Sequence, residues 1–366
     1  MMMYALLLSC NREVKKGELL EIPVDIDQNF SLPLSEIADE IIAINPELTD
    51  ESLVNPDRIQ SVLYFEDNVI IAESDKILVF NRDGKFVRAI GSKGQGPGEF
   101  LGVYGIALDK NNKHLYVNSF SRKIICYDLT TGGYLKESTE IGSIKYINYM
   151  NDELLLLSEQ SENDDNGYYK LSVLYHLNNE LQITDSVIIR KNYFVGQAFR
   201  TGFNIDCILF CNSNLYVYSP EIIPNMPGIP IQFQTIPTEL VLRDTLYRFE
   251  YNQLIPELKL KFKDNGISSG NMFINLSNIY RSSRYVFAVY NNQRKGNMYY
   301  FCYDIKTGKS YNMQDGYTDD IHQIETQLKI RPLNTNTEMF YYWHTHIKPD
   351  DLEEPNPTIY IGTLKK

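Results

Sequence analysis

The feature that most constrains the fold is a strand pattern that recurs along the chain. Each copy is an apolar run that ends in an aromatic residue, followed by Asp or Asn and a short turn with Gly. This order predicts a strand, a tight turn and a returning strand. The clearest copies lie at 76–86, 123–132 and 300–308. Cys126 and Cys302 occupy the same position in two copies, so both are predicted to be core residues.

Weaker copies at 172–179, 245–252 and 358–361 bring the number of units to six. The aromatic anchors of the six units are Phe80, Tyr127, Tyr175, Phe249, Tyr303 and Tyr360. A further strand precedes each anchor, and several of these strands are apolar on both faces, as strands covered on both sides are. Repeats of about 40–60 residues with four strands each are typical of β-propellers. The sequence therefore predicts an all-β protein, with one six-bladed β-propeller over residues 19–366.

The last unit runs out of chain after its third strand, so another segment must complete it. Residues 19–26 alternate apolar and polar side chains, and they are predicted to supply the missing outer strand and close the ring. Closure removes an exposed sheet edge, and Pro23 is tolerated on an outermost strand. A short helix and another strand both fit residues 35–50.

Composition limits the classes of function. The net charge of −12 argues against a nucleic-acid partner, since phosphate binding needs clustered Lys and Arg. Hydrophobic residues make up 43% of the chain, which excludes wholesale disorder. The chain holds 27 Tyr, most of them in strand runs, where they are predicted to fill the space between blades. A carbohydrate-stacking platform of Tyr is the alternative.

The N-terminus is predicted to be a lipoprotein signal peptide that directs the protein to the cell envelope. Residues 1–10 form an apolar run that ends in Leu-Leu-Ser-Cys. This ending resembles a bacterial lipobox, with Cys10 as the lipidated residue. Residues 11–18 are then a polar tether. The run is shorter than the ~20 residues that span a bilayer, and no Lys or Arg precedes it, unlike an ordinary signal peptide. An apolar strand with a chance Cys is the alternative.

The strongest local signature is the run from Gly84 to Phe100, with Gly-Gln-Gly-Pro-Gly-Glu-Phe at its end. This run, and the segment from Leu34 to Asp39, resemble the six-bladed β-propeller lipoproteins of Bacteroides-type bacteria, which are related to NHL-repeat propellers. The resemblance implies a secreted, lipid-anchored propeller and carries over no catalytic residue. The glycines themselves predict a turn between blades rather than a phosphate cradle, because Pro97 lacks an N–H and a strand follows.

Two further motifs have weak functional interpretations. His344 and His346 could place two imidazoles on one face of a strand, near Asp350 and Asp351, but no third metal ligand is evident, so no metal site and no cofactor is predicted. The acidic run 162–167 resembles the start of a calcium loop, yet Val173 stands where a Glu is required. An acidic hairpin tip is the favoured interpretation.

A long insertion at about 219–243 lies within the fourth unit, accounts for the 74-residue spacing from Tyr175 to Phe249, and holds five of the chain's 15 Pro. Long loops often carry function, so this loop is a candidate binding segment. Its candidate residues are Pro224, Met226, Pro227, Pro230 and Phe233. The alternative is a flap that packs over a blade or over an opening of the channel.

These observations favour a non-enzymatic binding or scaffold lipoprotein of the bacterial cell envelope. It would touch the membrane only through its N-terminal lipid, facing the periplasm or the cell surface. Its partner would be a small molecule, a glycan or a protein, and the predicted ligand face is one mouth of the central channel. Docking of a partner protein on the insertion is a third possibility. The enzymatic alternative is a propeller lyase or metal-dependent lactonase with its site in the channel.

Overall fold

A computed structural model describes residues 19–195, 207–211, 214–218, 236–237, 244–250, 253–263, 274–292, 295–333, 336–347 and 354–366. Six antiparallel sheets follow one another along these residues, and each contains at least four strands in meander order. This arrangement is a six-bladed β-propeller, as the repeat predicts.

The first third of the chain forms the N-terminal segment and two blades. The N-terminal segment comprises β1 (Leu20–Val24), α1 (Leu34–Ile37), β2 (Ala38–Ile44) and a 3-10 turn at Pro56–Arg58. Blade 1 comprises β3 (Ile59–Phe65), β4 (Asn68–Glu73), β5 (Ile77–Asn81) and β6 (Phe86–Ala89). Two short strands, β7 (Ser92–Lys93) and β8 (Glu99–Phe100), form the link to the next blade. Blade 2 comprises β9 (Val103–Asp109), β10 (His114–Ser119), β11 (Ile124–Asp128) and β12 (Tyr134–Glu137).

The middle of the chain forms blades 3 and 4. Blade 3 comprises β13 (Ile144–Met150), β14 (Glu153–Asp164), β15 (Gly167–Leu177) and β16 (Ile183–Val195). Blade 4 comprises β17 (Cys207–Cys211), β18 (Asn214–Tyr218), β20 (Thr245–Glu250) and β21 (Gln253–Phe262). Between β18 and β20 lies β19 (Ile236–Pro237), which pairs with the end of β16.

The last part of the chain forms blades 5 and 6. Blade 5 comprises β22 (Ile274–Arg281), β23 (Tyr285–Asn292), β24 (Asn297–Asp304) and β25 (Ser310–Gln314). A hairpin of β26 (Tyr317–Asp319) and β27 (Ile324–Leu328) follows. Blade 6 comprises β28 (Arg331–Leu333), β29 (Asn336–His344) and β30 (Thr358–Leu364), with β2 as its fourth strand.

In the three clearest copies of the repeat, the polar residue after the aromatic anchor caps the turn that follows. In blade 1, the side-chain oxygen of Asn81 accepts hydrogen bonds from the amides of Asp83 and Lys85 at 3.0 and 2.9 Å. Asp128 in blade 2 and Asp304 in blade 5 accept equivalent amide hydrogen bonds. The glycines of these turns adopt positive φ: Gly84, Gly132 and Gly308. The recurring pattern thus encodes a capped turn between the third and fourth strands of a blade.

The core lies between neighbouring blades. All but the first residue of β4 and all but the last of β5 are buried, so these strands are covered on both faces as predicted. Cys126 and Cys302 are fully buried free thiols, which confirms their predicted core role. Cys10, Cys207 and Cys211 have no described side chains.

The strand that completes blade 6 differs from the one predicted. β2 pairs antiparallel with β30, with Ile42 opposite Ile361, and so supplies the outer strand. Residues 19–26 instead form β1, which adds parallel to β21 as a fifth strand of blade 4. β1 alternates in burial whereas β2 does not, and the prediction failed because alternation identifies an edge strand without identifying its sheet. An N-terminal strand does close the ring, and residues 34–44 are a short helix followed at once by that strand.

Residues 20–44 form a strap across the rim of three blades. After β1 leaves blade 4, Phe30 donates a backbone hydrogen bond to Asn312 in the outer strand of blade 5, at 2.8 Å. Ser31 then bonds Thr318 of the β26–β27 hairpin at 2.9 Å. The strap ends as β2 in blade 6, so one segment joins the first part of the chain to its last three blades.

Candidate functional site

The candidate site is a cavity of about 410 Å³ at one mouth of the central channel. Five of the six blades contribute lining residues. The second residues of β3, β9 and β13 all face it: Gln60, Tyr104 and Lys145. These strands are the innermost of their blades and run in the same direction around the axis, so their first residues meet at the same mouth. The repeat thus brings residues together that are far apart in sequence.

The cavity wall is cationic. Lys145, Lys329 and Arg331 line it, and no Asp or Glu does so within the described residues. None of the three forms an ion pair with a described carboxylate. On the outer surface, by contrast, Lys113 and Lys123 each lie 2.7 Å from a Glu. In a chain of net charge −12, three unneutralised cations in one concave wall create a local positive field for an anion.

Five tyrosines share the same wall: Tyr104, Tyr146, Tyr280, Tyr300 and Tyr341. Tyr104 is 57% exposed, and its ring packs on Phe120 with centroids 4.0 Å apart. Tyr300 and Tyr341 are buried; burial raises the pKa of both phenols, and the nearby Arg331 opposes that rise. Tyr280 is buried as well, so Tyr104 is the most exposed described ring of this wall, and a stacking surface of Tyr stays a prediction.

Neutral hydrogen-bonding groups and apolar side chains complete the wall. Asn118 is nearly fully buried and donates to the backbone oxygen of Ile144 at 3.2 Å, which ties blade 2 to blade 3 at the rim of the cavity. Ile106, Ile147 and Ile330 are buried beneath the polar groups. An apolar floor with a few fixed polar groups is the usual form of a ligand pocket.

The predicted site residues lie elsewhere or outside the described residues. Cys10 and the loop residues Pro224, Met226, Pro227, Pro230 and Phe233 fall outside the described residues. Of the insertion, Ile236–Pro237 is described, and it pairs with Val195 and Phe194 at the extended end of blade 3. That pairing adds a short edge strand to the sheet of blade 3, and the role of the loop stays a prediction.

His344 and His346 lie side by side at the end of β29, with ring centroids 4.6 Å apart. The His346 Nε2 atom lies 2.9 Å from the hydroxyl of Tyr360. Burial, and then the neighbouring His346, lower the pKa of His344. Asp350 and Asp351 lie outside the described residues, and the described part of the chain holds no cluster of three metal-binding side chains.

The glycine run forms a turn between blades, as predicted. Gly91 and Gly98 adopt positive φ, and the Glu99 carboxylate accepts the amide hydrogen of Gly96 at 2.8 Å. The Tyr127 hydroxyl donates to the backbone oxygen of Gly98 at 2.8 Å. The acidic run 162–167 forms the tip of the β14–β15 hairpin, with Asp164 opposite Gly167. The glycine run and the acidic run thus both form turns, as predicted.

The cationic wall was not found from sequence because the innermost strands are the least regular part of the repeat. The anchors locate the second and third strands of each blade, whereas β3, β13 and β28 share no motif. A usable signal is an exposed polar or aromatic residue directly after the first residue of the strand that opens a blade, as at Gln60, Tyr104 and Lys145. No helix in the described part of the chain is long and apolar enough to cross a membrane.

One comparison with a solved structure agrees with this fold. A crystal structure described as a "Putative exported protein" from Bacteroides fragilis has a TM-score of 0.62 at 17% identity, with 95% of this chain and 100% of that chain covered. The WD40 domain of Neurospora crassa Pan2 has a TM-score of 0.43 at 10% identity, with 87% and 80% covered. No curated protein sequence matches the chain significantly.

The expected likeness to Bacteroides propellers thus has a structural counterpart, and kinship with NHL-repeat propellers stays a prediction. A family model matches residues 19–359, which is nearly the whole propeller. The chain therefore belongs to the family described as Domain of unknown function (DUF4934).

Proposed function

We propose that the protein is a lipid-anchored binding propeller of the bacterial cell envelope that holds an anionic ligand at the channel mouth. The observation that carries this proposal is the cavity wall. Three cations and five tyrosines line it, and no described carboxylate does, although the chain as a whole is strongly acidic. A small anionic molecule with an apolar or ring-shaped body matches this wall, because the cations bind its charge and the rings cover its body.

Binding without catalysis is the function that this wall supports best. A metal-dependent lactonase needs carboxylate or imidazole ligands, and a lyase needs a general base, a role that Lys or Tyr can fill. The described lining contains Lys, Arg, Tyr, Asn, Gln and Ser, and no His, Asp, Glu or Cys. The described lining therefore lacks the ligands of a metal-dependent lactonase, and its Lys and Arg side chains can orient and neutralise an anion. A lyase with Lys or Tyr as its base is the second candidate.

The proposed location rests on two observations. The segment that ends in Leu-Leu-Ser-Cys10 resembles a lipobox, and the Bacteroides fragilis structure that shares the fold is described as exported. Cys10→Ala expressed in a Bacteroides host should move the protein from the membrane fraction to the soluble fraction. Unchanged membrane fractionation of the variant would refute the anchor and leave the binding site untouched.

The binding proposal is tested with galacturonate, a small sugar acid, against galactose, its neutral counterpart, by calorimetry at low salt. Galacturonate should bind and galactose should bind at least about tenfold more weakly, because a charge-assisted hydrogen bond contributes about 1.5–3 kcal/mol. Lys145→Gln and Lys329→Gln should each weaken galacturonate binding about tenfold. Raising the salt concentration should weaken it further.

Lys309→Gln is the matched control, because Lys309 is an exposed lysine in a turn of blade 5 outside the cavity wall. It should bind galacturonate like the wild type. Equal affinity for galacturonate and galactose, or equal losses in the control and the two cavity variants, would contradict the proposal.

A further inference from the structure

A second cavity of about 350 Å³ adjoins the channel mouth, and two of the three cations of the channel mouth also line it. This side cavity lies between the start of blade 1, strand β27 and the end of β29. Lys329 and Arg331 line both cavities, and in the side cavity these two cations outnumber one described carboxylate, Asp57. Each volume alone falls within the range of about 300–1,000 Å³ that is typical of ligand pockets.

An aromatic track joins the two cavities along one face of β29. Tyr341 lines the channel mouth and Trp343 lines the side cavity. Their rings are nearly parallel, with centroids 6.2 Å apart and planes at 19°. Arg331 pairs with Tyr341 across the β28–β29 ladder, and its guanidinium carbon lies 4.0 Å from the centre of the Trp343 ring. The shared cation thus sits beside both rings, at the boundary between the cavities.

Blade 6 leaves this face of β29 open for a structural reason. β28 ends its pairing at Arg331, opposite Tyr341, so Trp343 and His344 extend past the innermost strand of their own blade. The β26–β27 hairpin and the 3-10 turn before β3 line the space that β28 leaves open beside Trp343 and His344. Trp343 is the chain's only Trp, and it is partly exposed there.

We infer that the two cavities form one extended site for an acidic oligosaccharide. This inference rests on the proposed function and names its ligand class. One acidic sugar would occupy the channel mouth between Lys145 and Lys329, and the chain would pass Arg331 and lay the next sugars against Trp343. Sugar rings offer flat C–H faces to Tyr and Trp, and hydroxyls to Gln60, Ser61 and Thr326. A carboxylate on the sugar pairs with Arg331.

The test compares galacturonate with tetragalacturonate on the wild-type protein, by calorimetry and by the intrinsic fluorescence of Trp343. Tetragalacturonate should bind at least tenfold more tightly than galacturonate. It should change the Trp fluorescence with the same midpoint that calorimetry gives, whereas galacturonate should bind and leave the fluorescence unchanged. Trp343→Ala should remove the tenfold gain of the tetramer and change galacturonate affinity less than twofold. Tyr134→Ala, an exposed aromatic on the outer strand of blade 2, is the control and should change neither affinity.

Failure of this inference is distinct from failure of the proposed function. If monomer and tetramer bind equally well, or the tetramer leaves Trp343 fluorescence unchanged, the extended site is wrong and the anion site stands. If neither sugar acid binds, both are wrong. If tetraglutamate binds as tightly as tetragalacturonate with the same fluorescence change, the ligand class is acidic peptide and the saccharide assignment is overturned.

Discussion

At the scale of single residues, one of the polar residues that follow the aromatic anchors, Asp304, has more than the one role that the repeat predicts. The sequence pattern predicts a turn at Asp128 and at Asp304, and both side chains cap that turn. Asp304 has a second role that the pattern does not contain. Its carboxylate accepts two hydrogen bonds from Arg284, at 2.8 and 3.2 Å, and the same Arg donates to the backbone oxygen of Lys366 at 3.0 Å. Arg284 thus pairs with Asp304 within blade 5 and, through its second contact, links the blade to Lys366.

The pKa of Asp304 follows from this pairing. Burial is the largest single influence and would raise the pKa, but the hydrogen bonds from Arg284 and Thr307 and the charge of Arg284 together outweigh burial and lower the pKa below the ordinary Asp value of 3.8. A carboxyl whose folded pKa is lowered stabilises the fold above its unfolded pKa. That stabilisation is lost as the pH falls through the folded pKa.

Asp304→Asn should lower the free energy of unfolding by about 2 kcal/mol at pH 7, since Asn keeps the turn-capping oxygen and loses the charge-assisted pair. The difference from wild type should shrink as the pH falls below about 4, where the wild-type carboxyl also loses its charge. Thermal and urea unfolding between pH 3 and 7 measures both effects.

Asp128→Asn is the matched control, because Asp128 caps the same turn in blade 2 without an ion pair to a described Lys or Arg. This substitution should lower the free energy of unfolding by less than about 1 kcal/mol. Equal losses for the two variants would show that the turn, and not the pairing with Arg284, is what Asp304 supplies.

At the scale of elements, the sequence predicts the strands that share a motif and misses those that do not. The second and third strands of the blades follow from their apolar runs and anchors, as β4 with β5 and β10 with β11 show. The innermost strands have no such signature, so the cationic cavity wall was not predictable residue by residue. The outer strand of blade 6 was assigned to the wrong segment because β1 and β2 are both apolar edge strands near the N-terminus.

The strap provides a test of which strand closes the ring. Removal of residues 1–26 deletes β1, whose side chains Leu20, Ile22 and Val24 are buried. The deletion also exposes the part of blade 4 that β1 covers. This variant should stay a folded monomer with a lower melting temperature, since each buried aliphatic side chain contributes about 1.5–3 kcal/mol. Removal of residues 1–46 also deletes β2 and leaves β30 with an unpaired edge, so it should unfold or aggregate.

Size-exclusion chromatography and circular dichroism separate these outcomes. The assignment of closure to β2 would be wrong if the shorter truncation collapsed as completely as the longer one. It would also be wrong if the chain without residues 1–46 stayed a folded monomer.

At the scale of the whole molecule, the charge of the described channel-mouth wall is opposite in sign to the net charge of the chain. The chain carries 47 acidic and 35 basic residues, yet the described wall of the channel mouth holds three cations and no carboxylate. Net charge therefore describes the outer surface and says little about the ligand. Part of the Tyr excess fills the space between blades, as with Tyr116 and Tyr285, and part lines the cavity. Composition alone could not divide the tyrosines between these roles, because both place Tyr in strands.

The most direct test of the anion site is to locate a bound anion in crystals of the protein. Crystals soaked in low-millimolar selenate should show a selenium anomalous peak in the channel mouth, within hydrogen-bond reach of at least two of Lys145, Lys329 and Arg331. Crystals of the Lys145→Gln/Lys329→Gln double variant, soaked in the same way, should lack that peak. A channel mouth without selenium in wild-type crystals that bind selenate elsewhere, or a peak that persists in the double variant, would contradict the account.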